Sequence, residues 1–305
     1  MVAPAEPPPT DGFRVLVYNP TSGSGDHGDR VQSLAADHGF EVRETESAQD
    51  IVDKAAAAAE EADVVAAGGG DGTLTRVVRG IDRADAFEDV CFAVVPLGTG
   101  NNFAGNVGVG GVEAAFDLVE SGERRRIDVG TVDGTPFLNS VVAGLTAESS
   151  AATDSDSKER WGVLAYAMET ARTAREFDGL TLTIEPEGED PREVTASIVL
   201  VGNGRRVPQG GRSQADMEDG DLDVTIFEDV GVFDLVEDSV HEALGDQPEG
   251  VEQFTTHRLD VDIAGDHDTV SVDGEVLTAE HLSLGVRERV LELPVGGSYD
   301  PDPDA

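Results

Sequence analysis

Ala66-Ala67-Gly68-Gly69-Gly70-Asp71-Gly72-Thr73 is the stretch of sequence that decides the fold. It follows the short run Asp63–Ala67, which we predict to be a buried strand, and it opens a predicted helix over Thr73–Ile81. Three successive glycines let the backbone turn sharply and approach a ligand closely. The N–H groups of such a turn and of the next helix, which Thr73 could cap, favour the binding of a phosphate.

Strands and helices alternate along the first part of the chain. The predicted strands are Arg14–Tyr18, Glu41–Glu44, Asp63–Ala67 and Val90–Val95, and the predicted helices are Asp29–His38, Ala48–Ala62, Thr73–Ile81 and Glu113–Ser121. This alternation favours a parallel sheet covered by helices on both faces.

After about residue 128 the pattern changes to short segments of β character, which favours an all-β or sandwich domain. The predicted strands are Phe137–Val142, Leu180–Ile184, Val194–Val201, Leu222–Phe227, Leu259–Ile263, Thr269–Val272 and His281–Val286. Helices are predicted over Glu159–Arg175 and Val232–Leu244.

Two more loops resemble the glycine turn in position and composition. Asn19-Pro20-Thr21-Ser22-Gly23-Ser24-Gly25 follows the first predicted strand, and Pro96-Leu97-Gly98-Thr99-Gly100-Asn101-Asn102-Phe103-Ala104 follows Val90–Val95. All three loops fall at the carboxyl ends of strands, where open parallel sheets bind ligands. Neither a Walker A sequence nor a G-x-G-x-x-G sequence occurs, so P-loop and dinucleotide-binding interpretations are weak.

Asp71 is unusual in a turn that would hold phosphates, because a carboxylate repels them unless a cation intervenes. It therefore indicates either Mg²⁺ or a base that acts on a hydroxyl group near a transferring phosphate. The alternative is a plain glycine-rich turn in which Asp71 is one more acidic residue. The residues alone favour neither interpretation over the other.

Charge sets limits on the partners of this protein. The 305 residues include 62 acidic and 21 basic ones, which gives a net charge of −41, and Lys54 and Lys158 are the only lysines. Such a chain would be repelled by nucleic acid, so a general polyanion binder is excluded. Acid spread along the whole chain predicts a salt-adapted, halophilic protein whose charge must be screened. An ordinary acidic protein is the alternative.

Other features exclude further classes of protein. A single cysteine, Cys91, excludes an internal disulfide and a multi-cysteine zinc site. The six histidines show no metal-ligand spacing. Residues 1–11 lack the apolar stretch of a secretory signal, and the uncharged span Val90–Val112 is too rich in Gly and Asn for a membrane helix. We therefore expect a cytoplasmic protein that meets a membrane, if at all, at the inner surface.

An ordered set of motifs makes the chain similar to the diacylglycerol kinase catalytic-domain family of lipid kinases, which includes bacterial diacylglycerol kinases and sphingosine kinases. The motifs are Asn19-Pro20 with Ser22-Gly23, Gly69-Gly70-Asp71-Gly72-Thr73, Pro96-Leu97-Gly98-Thr99-x-Asn101, Lys158-x-x-Trp161-Gly162-x-Leu164-Ala165-Tyr166, Gly202-Asn203-Gly204, Gly210-Gly211, Asp219-Gly220-x-Leu222-Asp223 and Asp273-Gly274-Glu275. Together they cover residues 13–294. The glycine turn alone would be less specific, because NAD kinases and phosphofructokinases carry similar turns.

The resemblance implies an NAD-kinase-like nucleotide-binding domain with a parallel sheet, followed by a β-sandwich domain. The boundaries we predict are a flexible tail at 1–11, the nucleotide-binding α/β domain at 12–128, the β-sandwich substrate and catalytic domain at 129–286, a return segment to the first domain at 287–296, and a tail at 297–305. The implied cofactors are ATP and Mg²⁺.

The resemblance also assigns site residues. Glu275 is implied as the base that takes the proton of a lipid hydroxyl, and Asp71 is placed near Mg²⁺ and the γ-phosphate. Without the resemblance, Asp273-Gly274 would be interpreted as a hairpin turn with Glu275 exposed by chance. The implied nucleotide contacts are Asn19, Pro20, Ser22, Gly23, Thr45, Gly68, Gly69, Gly70, Asp71, Gly72, Thr73, Gly98, Thr99 and Asn101.

A structural Mg²⁺ is implied at Asp219, with Asp216 and Asp221 contributing oxygen ligands. A solvated acidic surface is the alternative at this loop. The chain departs from the family at Asn102, where an aspartate is common, so the resemblance does not fix the geometry of metal and phosphate near this residue. Asp128 matches another acidic position of the family and could compensate, or it is an acid at the edge of a strand.

The expected function is ATP- and Mg²⁺-dependent phosphorylation of a hydroxyl group on a diacylglycerol-like, dialkylglycerol or sphingoid acceptor at a membrane surface. One alternative is a kinase of a soluble substrate, similar to NAD kinase. The other is a non-catalytic sensor of nucleotide or lipid, which Asn102 favours. We expect no nucleic-acid partner and leave a homodimer open.

Overall fold

The computed structural model describes residues 12–144, 179–209, 212–228, 250–264 and 269–303. They divide into two compact units: the described residues of Met1–Val129 with Arg287–Pro303, and those of Gly130–Val286. Several predicted features lie outside the described residues. They are the tail at 1–11, the helices Glu159–Arg175 and Val232–Leu244, the motif that begins at Lys158, and Gly210-Gly211.

The first unit contains a four-stranded parallel sheet with strand order β2-β1-β3-β4. Its strands are β1 (Arg14–Tyr18), β2 (Phe40–Glu44), β3 (Val64–Gly69) and β4 (Cys91–Pro96). Its helices are α1 (Gly28–Asp37), α2 (Ala48–Ala59), α3 (Asp71–Arg83), α4 (Asn102–Asn106) and α5 (Val112–Ser121). The predicted α/β class of this part is confirmed.

Burial explains why the three inner strands read as continuous apolar runs. Strands β1, β3 and β4 are buried at every position, as expected for a parallel sheet that is covered on both faces. Helix α2 buries the small residues Ala55, Ala56, Ala58 and Ala59, and it packs closely on α3. A parallel sheet of this kind places the three predicted loops at one edge.

The second unit is an antiparallel β-sandwich, as predicted. One sheet has the order β14-β13-β10-β7-β16-β17, the other β6-β5-β18-β15-β8-β9, and β11 pairs with β12. The strands are β5 (Glu123–Val132), β6 (Thr135–Phe137), β7 (Ser140–Gly144), β8 (Leu180–Pro186), β9 (Arg192–Ala196), β10 (Ile198–Gly202), β11 (Arg205–Gln209), β12 (Arg212–Gln214), β13 (Leu222–Phe227), β14 (Val251–Thr256), β15 (Arg258–Ala264), β16 (Thr269–Val272), β17 (Glu275–Thr278) and β18 (His281–Val295). Residues 123–129 of β5 and 287–295 of β18 are counted with the first unit. Buried side chains from both sheets form one core between them.

Two predicted strands of this unit are each divided in the structure. Phe137–Val142 is split between β6 and β7, because the N–H groups of Leu138, Asn139 and Ser140 donate to the carboxylate of Asp273. Val194–Val201 is split at Ser197, where the chain passes from one sheet to the other. The residues at the breaks, Asn139-Ser140 and Ser197, are polar, but so short an interruption of the apolar pattern does not by itself predict that a strand ends.

The segment Arg287–Pro303 completes the first unit. Glu292 on β18 forms an ion pair with the buried Arg124 of β5 (3.3 Å), and the N–H of Gly296 donates to the carbonyl of Val107 (2.9 Å). The predicted strand His281–Val286 is longer in the structure, where β18 extends to Val295. Among the described residues, no helix has the length and apolar character needed to span a bilayer.

Candidate active site

Backbone hydrogen bonds hold the three loops together at the carboxyl ends of β1, β3 and β4. The N–H of Asn19 donates to the carbonyl of Gly68 (2.9 Å), and the N–H of Leu97 donates to the carbonyl of Gly69 (2.9 Å). Each loop therefore continues the register of the sheet for one more residue. This places the glycine turn between the other two loops.

The loops also approach one another so closely that side chains would not fit between them. A Cβ atom on Gly98 would lie 2.6 Å from the Cα atom of Gly70. A Cβ atom on Gly23, which has a φ of +59°, would lie 2.3 Å from the carbonyl oxygen of Leu97. Glycine is required at both places, and the wall of the site is largely backbone.

Asp71 is the first residue of α3, and its carboxylate joins the glycine turn to the start of α4. One carboxylate oxygen accepts the N–H of Asn102 (3.1 Å) and the other accepts the N–H of Phe103 (2.9 Å). These are the first N–H groups of a helix, which have no partner within the helix itself. The contact uses the backbone at Asn102, so it does not depend on the amide that replaces the aspartate common in the family.

The loop before α4 is shaped by Asn101, whose φ of +46° is left-handed. Its side chain accepts the N–H of Gly98 (2.9 Å) and donates to the carbonyl of the same residue (2.7 Å). Asparagine tolerates this backbone conformation better than most residues. Asn101 therefore sets the shape of the loop from within.

A pocket of about 270 Å³ lies where the three loops meet. It is lined by Ser22, Gly23, Gly70, Asp71, Gly72, Thr73, Arg76, Gly98, Thr99 and Gly100. Gly100 and Arg76 are not among the site residues predicted from the sequence. The signal for Arg76 was its place one helical turn after Gly72, in a chain that has few basic residues.

Other residues with predicted nucleotide contacts lie behind this wall or away from it. The side-chain amide of Asn19 donates to Thr73 Oγ1 (3.3 Å), and the hydroxyl of the buried Thr45 donates to the carbonyl of Tyr18 (3.1 Å). Four more of these residues do not line the pocket: Gly68 and Gly69, which belong to β3, and Pro20 and Asn101.

The expectation that Thr73 caps the following helix was wrong. The N-cap of α3 is Gly70, which has no side chain to accept a hydrogen bond, and Thr73 lies inside the first turn. The helix begins two residues earlier than predicted, so Asp71 rather than Thr73 stands at its start. An acidic residue in the first turn also suits the positive end of the helix dipole.

In the second unit, Asp273-Gly274 is the two-residue turn of the β16–β17 hairpin. Both residues have positive φ (+48° and +85°), as the common tight hairpin turn requires. The Asp273 carboxylate accepts the N–H groups of three successive residues, 138 to 140, at 2.7–3.0 Å. Glu275, the predicted base, follows as the first residue of β17 and is half-buried.

The acidic loop before β13 carries the predicted Mg²⁺ ligands. Burial, together with the neighbouring Asp216, Asp221 and Asp223, raises the pKa of Asp219 to about 6. The Asp219 carboxylate accepts the N–H of Asp221 (2.9 Å). Among the described residues, no three acidic, His or Cys side chains are arranged as a metal cluster.

Asp128 is fully buried on β5. Its carboxylate accepts the N–H of Arg289 (2.7 Å), at a point where β18 has a left-handed residue (φ +48°). This contact gives Asp128 a structural function inside the first unit.

Comparison with known proteins matches both parts of the chain. Residues 14–132 match the diacylglycerol kinase catalytic domain, and residues 139–294 match the YegS C-terminal NAD kinase β-sandwich-like domain. A "Probable lipid kinase YegS-like" protein of Pseudomonas aeruginosa is 32% identical over 257 residues, which cover 78% of each chain.

Solved structures show the same fold. A diacylglycerol kinase from Bacillus anthracis superposes with a TM-score of 0.72 at 18% identity, over 96% of this chain and 100% of that one. An NAD kinase from Archaeoglobus fulgidus in complex with ATP gives a TM-score of 0.50 at 12% identity, over 93% and 94% of the two chains. The predicted NAD-kinase-like fold is thus confirmed.

Proposed function

The chain belongs to the YegS-like family of lipid kinases with a diacylglycerol kinase catalytic domain, and from this premise we propose that it transfers the γ-phosphoryl group of ATP to a lipid hydroxyl group. The observation that carries the proposal is the pocket of backbone-lined glycine loops at the carboxyl ends of β1, β3 and β4. Such an edge of a parallel sheet is suited to a nucleotide.

The first unit supplies the nucleotide site. Residues Gly70–Thr73 and Gly98–Gly100 line the pocket, and the start of α3 next to the glycine turn is suited to phosphate oxygens. Asp71 fixes the start of α4 against the turn, which keeps both loops in one arrangement. A site that is already arranged loses less entropy when it orders a triphosphate.

Glu275 supplies the base in the second unit. As the acceptor hydroxyl oxygen bonds to the γ-phosphorus, the bond from that phosphorus to the ADP oxygen breaks, and the hydroxyl proton passes to the Glu275 carboxylate. Asp273 is a positioning residue for Glu275, because its three backbone hydrogen bonds fix the turn from which β17 starts.

The negative charge of the acidic loop before β13 suits a Mg²⁺ ion. Burial and then the neighbouring carboxylates raise the pKa of Asp219, and a divalent cation would offset the repulsion among these carboxylates. Mg²⁺ commonly binds one or two carboxylates and keeps several waters, so Asp219 and a neighbour such as Asp216 or Asp221 suffice without a three-residue cluster. A separate Mg²⁺ ion that entered with ATP near Asp71 would neutralise charge on the phosphates.

Incubation with γ-labelled ATP, Mg²⁺, molar salt and separate acceptors would test the activity. Diacylglycerol, dialkylglycerol and a sphingoid base are the lipid acceptors, and NAD is the soluble control. We expect label in the organic phase with at least one lipid and none on NAD. Folded protein that labels no lipid while it binds ATP would instead favour a nucleotide sensor.

The net charge of −41 supports adaptation to high salt. It should also affect the binding of the protein to a membrane that contains its lipid acceptor. Circular dichroism should show loss of the fold as salt is diluted, since self-repulsion is then unscreened. We expect contact with a membrane surface to be peripheral, weaker on anionic than on neutral vesicles in sedimentation assays. Sedimentation of the protein alone would distinguish the monomer from a homodimer.

A further inference from the structure

Arg76 lies in the wall of the nucleotide pocket, on the second turn of α3. Among the described residues that line this pocket, Arg76 is the only basic one, and Asp71 is the only acidic one. A triphosphate that entered would meet the Asp71 carboxylate within a chain of net charge −41. A cation at this place would offset that repulsion.

The guanidinium group of Arg76 is held at a defined place. Its Nη1 atom donates to the carbonyl of Gly72, 2.9 Å away and one helical turn earlier. A Cβ atom on Gly72 would lie 3.0 Å from this Nη1 atom, so the absence of a side chain at Gly72 makes room for the guanidinium beside the glycine turn. A guanidinium carries five N–H donors in a planar fork, which matches the oxygens of a phosphate group.

We propose that Arg76 binds the terminal phosphates of the nucleotide and thereby selects a triphosphate over a monophosphate. This inference rests on the proposed function, because it takes the pocket to be the nucleotide site. It adds a cationic side-chain ligand to a pocket that is otherwise lined by glycine backbone and small polar residues and by Asp71. Charge-assisted, bidentate hydrogen bonds between arginine and phosphate are among the stronger hydrogen bonds in proteins.

Binding of ATP and AMP at molar salt, measured by calorimetry without lipid, tests the inference. Arg76→Gln should weaken ATP binding about 10-fold to 100-fold, the range for loss of a charge-assisted contact, and should leave AMP binding nearly unchanged. Arg76→Lys keeps the charge without the fork, so it should fall between the wild type and Arg76→Gln. Gly72→Ala should also weaken ATP binding by displacing the guanidinium.

Arg83→Gln is the matched control, because Arg83 is on the same helix, pairs with Asp53 (2.7 Å) and does not line the pocket. It should bind ATP as the wild type does. Folding of each variant is checked by circular dichroism at molar salt. If Arg76→Gln leaves the affinity for ATP unchanged, or lowers the affinity for AMP as much as that for ATP, the role of Arg76 is overturned. The proposed function is not affected by either result. A folded wild type that binds neither nucleotide would overturn the proposed function as well.

Discussion

Two Asp-Gly turns, one in each unit, use a carboxylate in the same way but in different backbone settings. Asp71 opens a helix and accepts two N–H groups from the start of α4. Asp273 lies in a hairpin turn with left-handed backbone and accepts three N–H groups from a neighbouring loop. Asp71 fixes the start of α4 beside the nucleotide pocket. Asp273 fixes the turn that precedes Glu275, the proposed base.

The two turns differ in the residues that lie beside each aspartate along the chain. Asp71 follows the three glycines Gly68–Gly70 and precedes Gly72, so the residues beside it offer backbone rather than side chains to a phosphate. After Asp273 and Gly274 comes Glu275, a carboxylate on a strand that is fixed by the turn. A short motif therefore contains both a residue that shapes the site and a residue that acts in it, and substitutions should separate the two functions.

The largest effect is expected at Glu275. Glu275→Gln should lower kcat for lipid phosphorylation about 10²-fold to 10⁴-fold, because general-base catalysis contributes about this much, and should leave the unfolding midpoint in urea unchanged. Glu193→Gln changes an exposed glutamate of the same unit and should retain full activity. If Glu275→Gln keeps its activity, Glu275 is not the base.

The next effect concerns Asp273. Asp273→Asn should lower the free energy of unfolding by about 2 kcal/mol, because an amide oxygen replaces a carboxylate that accepts three N–H groups. Asp133 is the matched control, since it also begins an Asp-Gly turn with positive φ but accepts a single N–H, that of Ser283, at an exposed place. Urea unfolding at molar salt measures both, and equal losses would contradict the positioning function of Asp273.

Asp71→Asn should have a smaller effect on stability and a separate effect on transfer. We expect a loss of about 1 kcal/mol, the usual magnitude for a helix-capping contact, because one of the two N–H groups of α4 loses its carboxylate partner. Phosphoryl transfer should also be abolished if Asp71 acts near the γ-phosphate. Asp29→Asn, an exposed acid in the first turn of α1, should change neither quantity.

The smallest effect is expected at Asp219. Its pKa is raised to about 6 by burial and by Asp216, Asp221 and Asp223, so the folded state binds more protons than the unfolded state between about pH 4 and pH 6. Stability is therefore lost as the pH rises through this window. Asp219→Asn should remove that loss and stabilise the protein at neutral pH by less than about 1 kcal/mol. Although its carboxyl group is partly shielded from water, the residue as a whole is exposed, so solvent screens its charge.

Thermal unfolding at about pH 4 and pH 7.5 measures this change, with Asp190→Asn as the control at an exposed turn of the same unit. At the lower pH the Asp219→Asn variant should match the wild type. Added Mg²⁺ should raise the melting temperature of the wild type at neutral pH and leave the variant unaffected. An equal rise in both would place the bound ion elsewhere.

The fold was predictable because its strongest signals are local. Continuous apolar runs marked β1, β3 and β4, and the glycines at the ends of these strands marked the loops. The strand β5 was missed because its sequence begins Glu123-Arg124-Arg125-Arg126, which has no apolar pattern; Arg124 is nevertheless buried in an ion pair with Glu292. That partner lies far along the chain, where no local pattern could indicate it.

The site was predictable in part for the same reason. The glycine loops are short motifs and could be found, whereas the contacts of Asp71 and Asp273 join segments that are distant in sequence. Helix α4 was interpreted as loop because its five residues, from Asn102 to Asn106, are too few for a helical period. Its start depends on the carboxylate of Asp71, which is 31 residues earlier.

The return of Arg287–Pro303 to the first unit has a consequence for protein synthesis. A ribosome releases residues 130–286 before it releases the segment that supplies Glu292 to Arg124, the Arg289 N–H to Asp128 and the Gly296 N–H to Val107. Until then two buried charged groups of the nascent first unit lack these partners, a costly state. The first unit is thus completed only after residues 130–286 have been synthesised, and a chain that stops before residue 287 should leave Arg124 and Asp128 without these partners.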